Sequence, residues 1–460
     1  MTNKKLINIL KKSQEEFSKN NFLKSISHCR KAIKQFPSIT STYKLLATNY
    51  IQLKRFKEAE VTVQQALALN TDIDDELMHL LGCIYNSMEM YEKSLNVLET
   101  LFNRTGNTKL LLDIGLNLAA LGNFNDARDV YFKLLELDPD NVSAKFNLST
   151  ILLYFHDFET AWTLFHSRLQ RSELIDKVHW YGNQWQGEPL TNKRVLIWPE
   201  QGIGDNFLYC SCFNEAIADA AHCYILCDSR SKALYQHNFP DATIISDIEL
   251  KSMNGSPFKV DVQILSGSLT YLYRSTIDSF VKQQDLKIPD ELVKEKAVQL
   301  SNRKLKVGLS WFHGKENNGN EYSMYLDNLL PLLKIDSIEW VNLQFGHWEK
   351  EVISIQKKHG IELSSFNDSS AAGDFSSYGA LIKNLDLVIA PSNAAFMYAA
   401  RLGVKSWIFT PIPDYHFGEG EANSLWFNDV KQFCRKNEDN WDNVVASLMQ
   451  EVQLLLETIR

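Results

Sequence analysis

No apolar run in this sequence of 460 residues approaches the roughly 20 that a membrane-spanning helix needs, so no membrane span is expected. Met1-Thr2-Asn3-Lys4-Lys5 leads into an amphipathic segment and not into the apolar core of a secretion signal, and the expected compartment is the cytoplasm. An excess of positive charge is also missing. The chain carries 48 Lys and Arg against 56 Asp and Glu, a formal net charge of -8. That balance argues against a chain-wide electrostatic grip on nucleic acid or anionic lipid, and leaves only a local basic patch open.

Cysteine is sparse and badly spaced for a metal or a disulfide framework. Seven cysteines in a chain of this length fit reduced thiols. Cys210, Cys212, Cys223 and Cys227 lie close together but lack the paired spacing of a zinc motif. Cys223 and Cys227 bracket the apolar Tyr224-Ile225-Leu226, which reads as a buried strand, so all four are read as core cysteines. No Gly-Lys-Ser/Thr phosphate loop occurs, Ser310 lacks the flanking glycines of a nucleophile elbow, and histidines such as His347 and His359 are scattered. Neither a metal enzyme nor nucleophilic catalysis is indicated. What is present is 45% hydrophobic and 23% charged residues, a globular composition with room for about three domains.

The first third of the chain repeats itself. Small residues Ser13, Ala47, Gly82, Gly115 and Ser149 recur with a period of about 34, and a second small set, Ser25, Ala59, Ser94, Ala127 and Ala161, follows behind. Apolar Cys29, Val63, Leu98, Tyr131 and Phe165 come next, Pro37 and Pro139 fall at the same point of their copies, and second helices are expected to start near Asn123 and Asp157. This is the spacing of the tetratricopeptide family. About five helical hairpins, starting near Leu6, Thr40, Asp75, Thr108 and Val142, are expected to stack into a solenoid over 5–175 that binds a peptide or protein segment. The plainer alternative is that the repeats only brace the next domain. Asn49, Asn86, Asn117 and Asn147 lie in the first helices of their copies, where they suit a peptide backbone or simply solvent.

From Arg168 to Asn192 the pattern gives way to an irregular connector with Trp180, Trp185, Gly187 and Pro189. Short apolar runs then alternate with helical patterns. Expected strands are Val195 to Trp198, Cys223 to Cys227, Thr243 to Ile245, Val260 to Ile264, Val307 to Trp311, Trp340 to Leu343, Leu387 to Ala390 and Trp407 to Thr410. Expected helices include Asn206 to Ile217, Leu326 to Leu333, Lys350 to Lys358, Tyr378 to Leu385, Ala394 to Leu402 and a long amphipathic one from Trp441 to Thr458. Such alternation implies parallel sheets flanked by helices, and a break near Asp290 to Arg303 implies two of them. In the first, the strand at Val195 runs into Glu200-Gln201-Gly202-Ile203-Gly204-Asp205. The glycines allow a tight turn at the carboxyl end of a strand, where open α/β sheets place their chemistry. Asp205 is either a site carboxylate or the N-cap of a helix starting at Asn206.

Trp185-Gln186-Gly187, the loop 200–205, Val307-Gly308-Leu309-Ser310-Trp311, Asn342-Leu343-Gln344, Leu385-Asp386-Leu387-Val388-Ile389-Ala390 and Ala399 to Gly403, in this order, resemble bacterial tetratricopeptide-fused glycosyltransferases whose catalytic part is similar to the heptosyltransferases. Ala161-Trp162-Thr163-Leu164-Phe165 with Arg168 resembles the segment that precedes that part. The resemblance implies an N-terminal α-solenoid and then a GT-B fold of two Rossmann-like halves: connector and acceptor side over 176–300, nucleotide-sugar side over 301–435, and a C-terminal helix over 436–460 that reaches back. It also implies a nucleotide-sugar as co-substrate, with no further cofactor, and Asp205 as the base.

Such a reaction needs a carboxylate or imidazole to take the proton of the attacking hydroxyl, and positive potential for the leaving diphosphate. Asp205 answers the first need; Glu200, Gln201, Gly202 and Gly204 shape its loop or touch the acceptor or donor. For the second, on the donor side, Ser392, Asn393 and Ala394 open a helix after the strand at Leu387, and Trp311 ends the strand before the loop that holds His313 and Lys315, these three being donor-binding candidates as well. Lys315 reads equally well as a solvated lysine. Gln344 and Phe345 are placed to frame a nucleoside, or to sit in the core. The chain departs from the family where relatives carry Asp-Thr and then His, having Ser392, Asn393 and Met397. Asp414-Tyr415-His416-Phe417 replaces an Asp-Trp-Arg-Trp run, and Tyr322 stands where an arginine precedes Ser323. Three functions compete: transfer to Ser or Thr of a protein held by the repeats, flagellin being a frequent acceptor in the family; transfer to a glycan or lipid-linked sugar; and a non-catalytic scaffold with a vestigial GT-B domain.

Overall fold

The structure, a computed structural model, describes residues 2–69, 74–170, 183–253, 259–282, 284–300, 304–314, 321–346, 348–366, 370–420, 424–435 and 440–459. The chain divides into two compact units, Met1–Leu148 and Ser149–Arg460.

In the first unit helices follow one another in hairpins: α1 (Thr2–Ser18) with α2 (Phe22–Gln35), α3 (Thr40–Gln52) with α4 (Phe56–Leu67), α5 (Asp75–Ser87) with α6 (Tyr91–Thr105), and α7 (Leu111–Ala120) with α8 (Phe124–Leu137). The unit boundary falls inside α9 (Val142–Tyr154), and α10 (Phe158–Phe165) lies in the second unit. The starts at Thr40, Asp75 and Val142 coincide with the expected repeat starts. Each hairpin turns on one left-handed residue: Asn20, Lys54, Glu89 and Gly122 have φ of 58°, 56°, 60° and 77°, and His156 in the second unit has 60°. The next N–H then donates to the carbonyl five residues back, as Arg55 does to Tyr50 at 2.8 Å and Met90 to Tyr85 at 2.9 Å. This closure satisfies a carbonyl that the helix end would otherwise leave open.

The recurring small residues are where paired helices touch. Ser13 Oγ meets Ser25 Oγ at 2.8 Å and Cys29 Sγ at 3.0 Å. A Cβ at Gly82 would stand 2.6 Å from Leu98, and one at Gly115 2.7 Å from the ring of Tyr131, which is fully buried. Leu98 has some freedom to turn aside, whereas the Tyr131 ring is held, its hydroxyl accepting from Asn147 Nδ2 at 3.1 Å. Gly115→Val is therefore expected to destabilise the repeat unit by about 1–3 kcal/mol through overpacking, read as a lower urea midpoint. Gly82→Ala should cost less.

Of the four asparagines considered for a peptide groove, Asn49 and Asn117 turn inward, while Asn86 and Asn147 are half-buried. Asn49 and Asn117 are fully buried and donate to the carbonyls of Leu45 and Asp113, both at 2.7 Å, and Asn86 donates to Asn117 at 3.1 Å. They brace their helices because a polar group so deeply buried must find its partner inside the chain.

The second unit holds two parallel sheets. The first contains β1 (Arg194–Trp198), β2 (His222–Cys227), β3 (Thr243–Ser246) and β4 (Val262–Leu265) in the order β3-β2-β1-β4, with Ile197 level with Ile225 and Ile264. The second contains β5 (Leu305–Leu309), β6 (Ile338–Asn342), β7 (Leu387–Pro391), β8 (Ser406–Thr410) and β9 (Val430–Cys434) in the order β6-β5-β7-β8-β9. Their inner strands are mainly apolar and buried, as strands covered on both faces are. An α-helical repeat region followed by an α/β region is thus the architecture.

Local differences have local causes. β9 was not expected; its sequence Val430-Lys431-Gln432-Phe433-Cys434 is part polar because it is an edge strand in which only Val430 and Phe433 are buried. The helix expected over Leu326 to Leu333 shrinks to Leu330–Leu333, with Pro331 fixing its first turn. The helix expected over Asn206 to Ile217 breaks into α11 (Ile203–Tyr209), a 3-10 turn at Cys210–Cys212 and a helix at Phe213–Asp219. Three further helices shape the site or the core: α12 (Phe375–Ile382), α13 (Ala394–Arg401) and α14 (Asp442–Ile459), the last burying Val444, Leu448 and Val452 against the second sheet. Trp180, in the connector, lies outside the described residues. No helix among the described residues is long and apolar enough to cross a membrane.

Candidate functional site

Strand order reverses between β1 and β4 in the first sheet and between β5 and β7 in the second. At such switch points the loops leaving the carboxyl ends part and form a crevice. The loops concerned are Pro199–Gly202 and Ser266–Ser268 on one side, and Ser310–Gly314 and Ser392–Asn393 on the other. These are the segments that carry most of the residues chosen from sequence.

In the first crevice Glu200 is a brace. Its side chain is 8% exposed and its Oε1 accepts from Arg168 at 2.8 Å and from the Gly267 amide at 3.1 Å. A Cβ at Gly267 would stand 2.5 Å from the same oxygen, so the loop after β4 must be glycine for the carboxylate to dock. Arg168 also donates to Ser268 at 3.0 Å. Gln201 is exposed. Helix α11 begins at Ile203 with Gly202 as its N-cap, so Asp205 stands in the first turn and does not cap a helix at Asn206. Asp205 is exposed, and its carboxylate lies back over Gly202, where a Cβ would be 2.6 Å from Oδ2. Gly202 makes room for that carboxylate.

In the second crevice two amides lock the loops. Gln344 Oε1 accepts from Ser310 Oγ, Trp311 N and Phe312 N at 2.8–2.9 Å, while its Nε2 donates to the carbonyls of Phe312 and Phe345. Asn393 Nδ2 donates to Ser310 Oγ at 2.9 Å, and its Oδ1 caps α13 by accepting from Ala395 and Phe396 at 3.0 and 3.2 Å. Two of the amides expected to cradle a diphosphate are therefore occupied by the chain's own side chain. Ser392 Oγ donates to Asp414 at 2.8 Å. Trp311 is 1% exposed and donates through Nε1 to Glu351 at 2.7 Å, which puts its ring in the core of the second sheet. The His313 amide donates to Ser323 Oγ at 2.9 Å, with the His313 ring 5.5 Å from that of Tyr322. Lys315 lies outside the described residues. Phe345 is 60% exposed at the carboxyl end of β6.

The two crevices meet. A Cβ on Gly204 would lie 3.5 Å from Ala394 Cα and from Met397 Cγ, so the Asp205 turn abuts the first turn of α13. Behind this contact the Phe207 ring stacks on Tyr398 at 4.3 Å, and the fully buried Arg401 donates to the carbonyls of Phe207 at 3.0 Å and Trp426 at 3.1 Å. Sequence reasoning did not place Asp414, Tyr415 and His416 here, although it noted their run. Asp414 accepts from Ser392, from the His416 amide and from His416 Nδ1. Burial alone would raise its pKa, but the His416 imidazole and these hydrogen bonds hold it below the usual carboxylate value. Tyr415 bonds Tyr209, and burial, reinforced by Asp205, keeps both phenols protonated far above their usual range. An exposed carboxylate, the phenols of Tyr209 and Tyr415 and a cross-linked Ser392-Asp414-His416 set thus lie in one region.

Away from the crevices, burial pushes Cys210, Cys223 and Cys227 up to about 12 and Cys212 to about 11, so these are inert core thiols. His166 donates through Nδ1 to the Trp162 carbonyl at 2.8 Å, and burial, with Arg168 nearby, lowers its pKa to about 4. Its folded value lies below the unfolded one, so its share of stability is complete above about pH 6.5 and falls away as the pH drops towards 4. His166→Gln should flatten the acid limb of a stability profile over that window by roughly 1–3 kcal/mol.

No family model matches the chain. Protein FlbA of Caulobacter vibrioides (strain ATCC 19089 / CIP 103742 / CB 15) is 24% identical over 425 residues, covering 86% of this chain and 70% of its own length. Among solved structures, YrrB, described as a tetratricopeptide protein with an unusual peptide-binding site, is 20% identical over 35% of this chain and 84% of its own, with a TM-score of 0.31. A thermophilic tetratricopeptide protein of Thermus thermophilus is 17% identical over 36% of this chain and 92% of its own, with a TM-score of 0.31.

Proposed function

We propose that the chain is a GT-B glycosyltransferase that moves a sugar from a nucleotide-sugar to Ser or Thr hydroxyls of a protein recruited by its repeats. The observation that carries this reading is the contact at Gly204 and Ala394 between the first turns of α11 and α13, which follow two switch-point loops, with the exposed Asp205 carboxylate beside it. In a single inverting displacement the acceptor hydroxyl gives its proton to Asp205. Its oxygen bonds the anomeric carbon as the bond to the diphosphate breaks, and the nucleoside diphosphate leaves with the electron pair. The N-terminal turn of α13, Ser392 and His313 would meet the charge of that leaving group. The resemblance of the sequence suggests flagellin as an acceptor.

One observation favours a second reading, a binding scaffold with a vestigial catalytic domain: Asn393 already fills the amides of Ala395 and Phe396, and Ser392 is committed to Asp414. Calorimetry of the full chain against a panel of nucleoside diphosphates and nucleotide-sugars separates the two. Saturable binding that Asn393→Asp weakens, by placing a negative charge at the helix start, supports the transferase; no binding to any member supports the scaffold.

A further inference from the structure

The repeats hold a second cluster of chemistry that owes nothing to the crevices. On α5, His79 and Cys83 are four residues apart and so lie on one face, one turn above the other. Asp113 on α7 sits 34 residues after His79, and its Oδ2 is 3.0 Å from His79 Nε2. One donor atom from each of the three side chains lies within 4.8 Å of the others. We propose that His79, Cys83 and Asp113 form a site for a divalent transition metal of the zinc class, joining two successive repeats.

The donor set fits that class of ion. Imidazole nitrogen, thiolate sulfur and carboxylate oxygen are zinc ligands at about 2.0–2.3 Å, which in a tetrahedron puts neighbouring donors about 3.3–3.8 Å apart. His79 Nε2 and Asp113 Oδ2 are 3.0 Å apart and all three donors lie within 4.8 Å of one another, so adjustments of side-chain rotamers would bring them to that separation. Thiolate and imidazole together select against magnesium and calcium, which take oxygen ligands. The side chains of His79 and Asp113 are 44% and 36% exposed, so an ion can reach them. Three protein ligands leave a fourth position for water or for a side chain of a protein bound to the repeats. Helical spacing was the only sequence signal for the first two ligands; Asp113 joins them only through the stacking of the repeats.

Cobalt(II) added to the metal-free full chain tests this directly, because a cobalt–thiolate bond gives a charge-transfer band in the near ultraviolet. The expected result is such a band saturating at one equivalent and displaced by zinc. Cys83→Ser should abolish it, Asp113→Asn and His79→Asn should weaken cobalt binding at least about tenfold, and Cys434→Ser should leave it unchanged. Circular dichroism confirms that each variant is folded, and Cys83→Ala serves if the serine variant is not. No band at one equivalent, or a band of the same size in folded Cys83→Ser or Cys83→Ala, would overturn the site.

Discussion

Asp205→Asn is expected to lower sugar transfer by about 10²–10⁴-fold, the usual worth of a positioned general base, with nucleotide-sugar affinity and thermal stability near those of the parent chain. The carboxylate is exposed and its loop is held by other residues, namely Gly202, Glu200 and the Gly204 contact with Ala394. Asn keeps the shape and loses the basicity, so the loss should fall on kcat. Asp205→Glu should recover part of the activity. An asparagine variant as active as the parent would remove Asp205 from the chemistry.

Glu200→Gln is expected to act on the same loop in the opposite way, destabilising the second unit by about 3–5 kcal/mol, because it leaves the guanidinium of Arg168 buried without its counter-charge. The pair is 6% and 8% exposed, so solvent offers little compensation. The amide can still accept from Gly267, which sets the lower end of that range. Replacing both partners, as in Arg168→Met with Glu200→Leu, should recover most of the loss, since no charge is then stranded. Urea unfolding followed by tryptophan fluorescence reads both variants. A single variant within about 0.5 kcal/mol of the parent would show that Glu200 is free to serve the acceptor.

Much of the repeat region was legible because its rules are local. Small residues at a fixed period marked the helix contacts, and Gly115 against Tyr131 shows why the spacing is enforced. Two hairpin turns were legible from the second-helix starts at Asn123 and Asp157, which stand at the N-caps of α8 and α10, whereas Lys54 and Glu89 adopt left-handed backbone without being glycine, so nothing in their identity announces it. Parallel strands declared themselves as apolar runs, except for β9, where an edge position permits Lys431 and Gln432. At the site, sequence found the loops but not what each side chain does. Gln344 and Asn393 spend their amides on partners 33 and 83 residues away, and Glu200 reaches Gly267 across 67. Only folding reveals such links. Asn49 and Asn117 erred for the same reason, since a polar residue on a helix reads as exposed until packing buries it.

The proposed function is transfer of sugar to a protein. Mass spectrometry of total protein from otherwise identical cells with and without the chain tests it most directly. The proposed transfer gives Ser- or Thr-linked sugar masses that vanish without the chain, return with the parent sequence and stay absent with Asp205→Asn. An unchanged set of modified proteins in all four samples would contradict it.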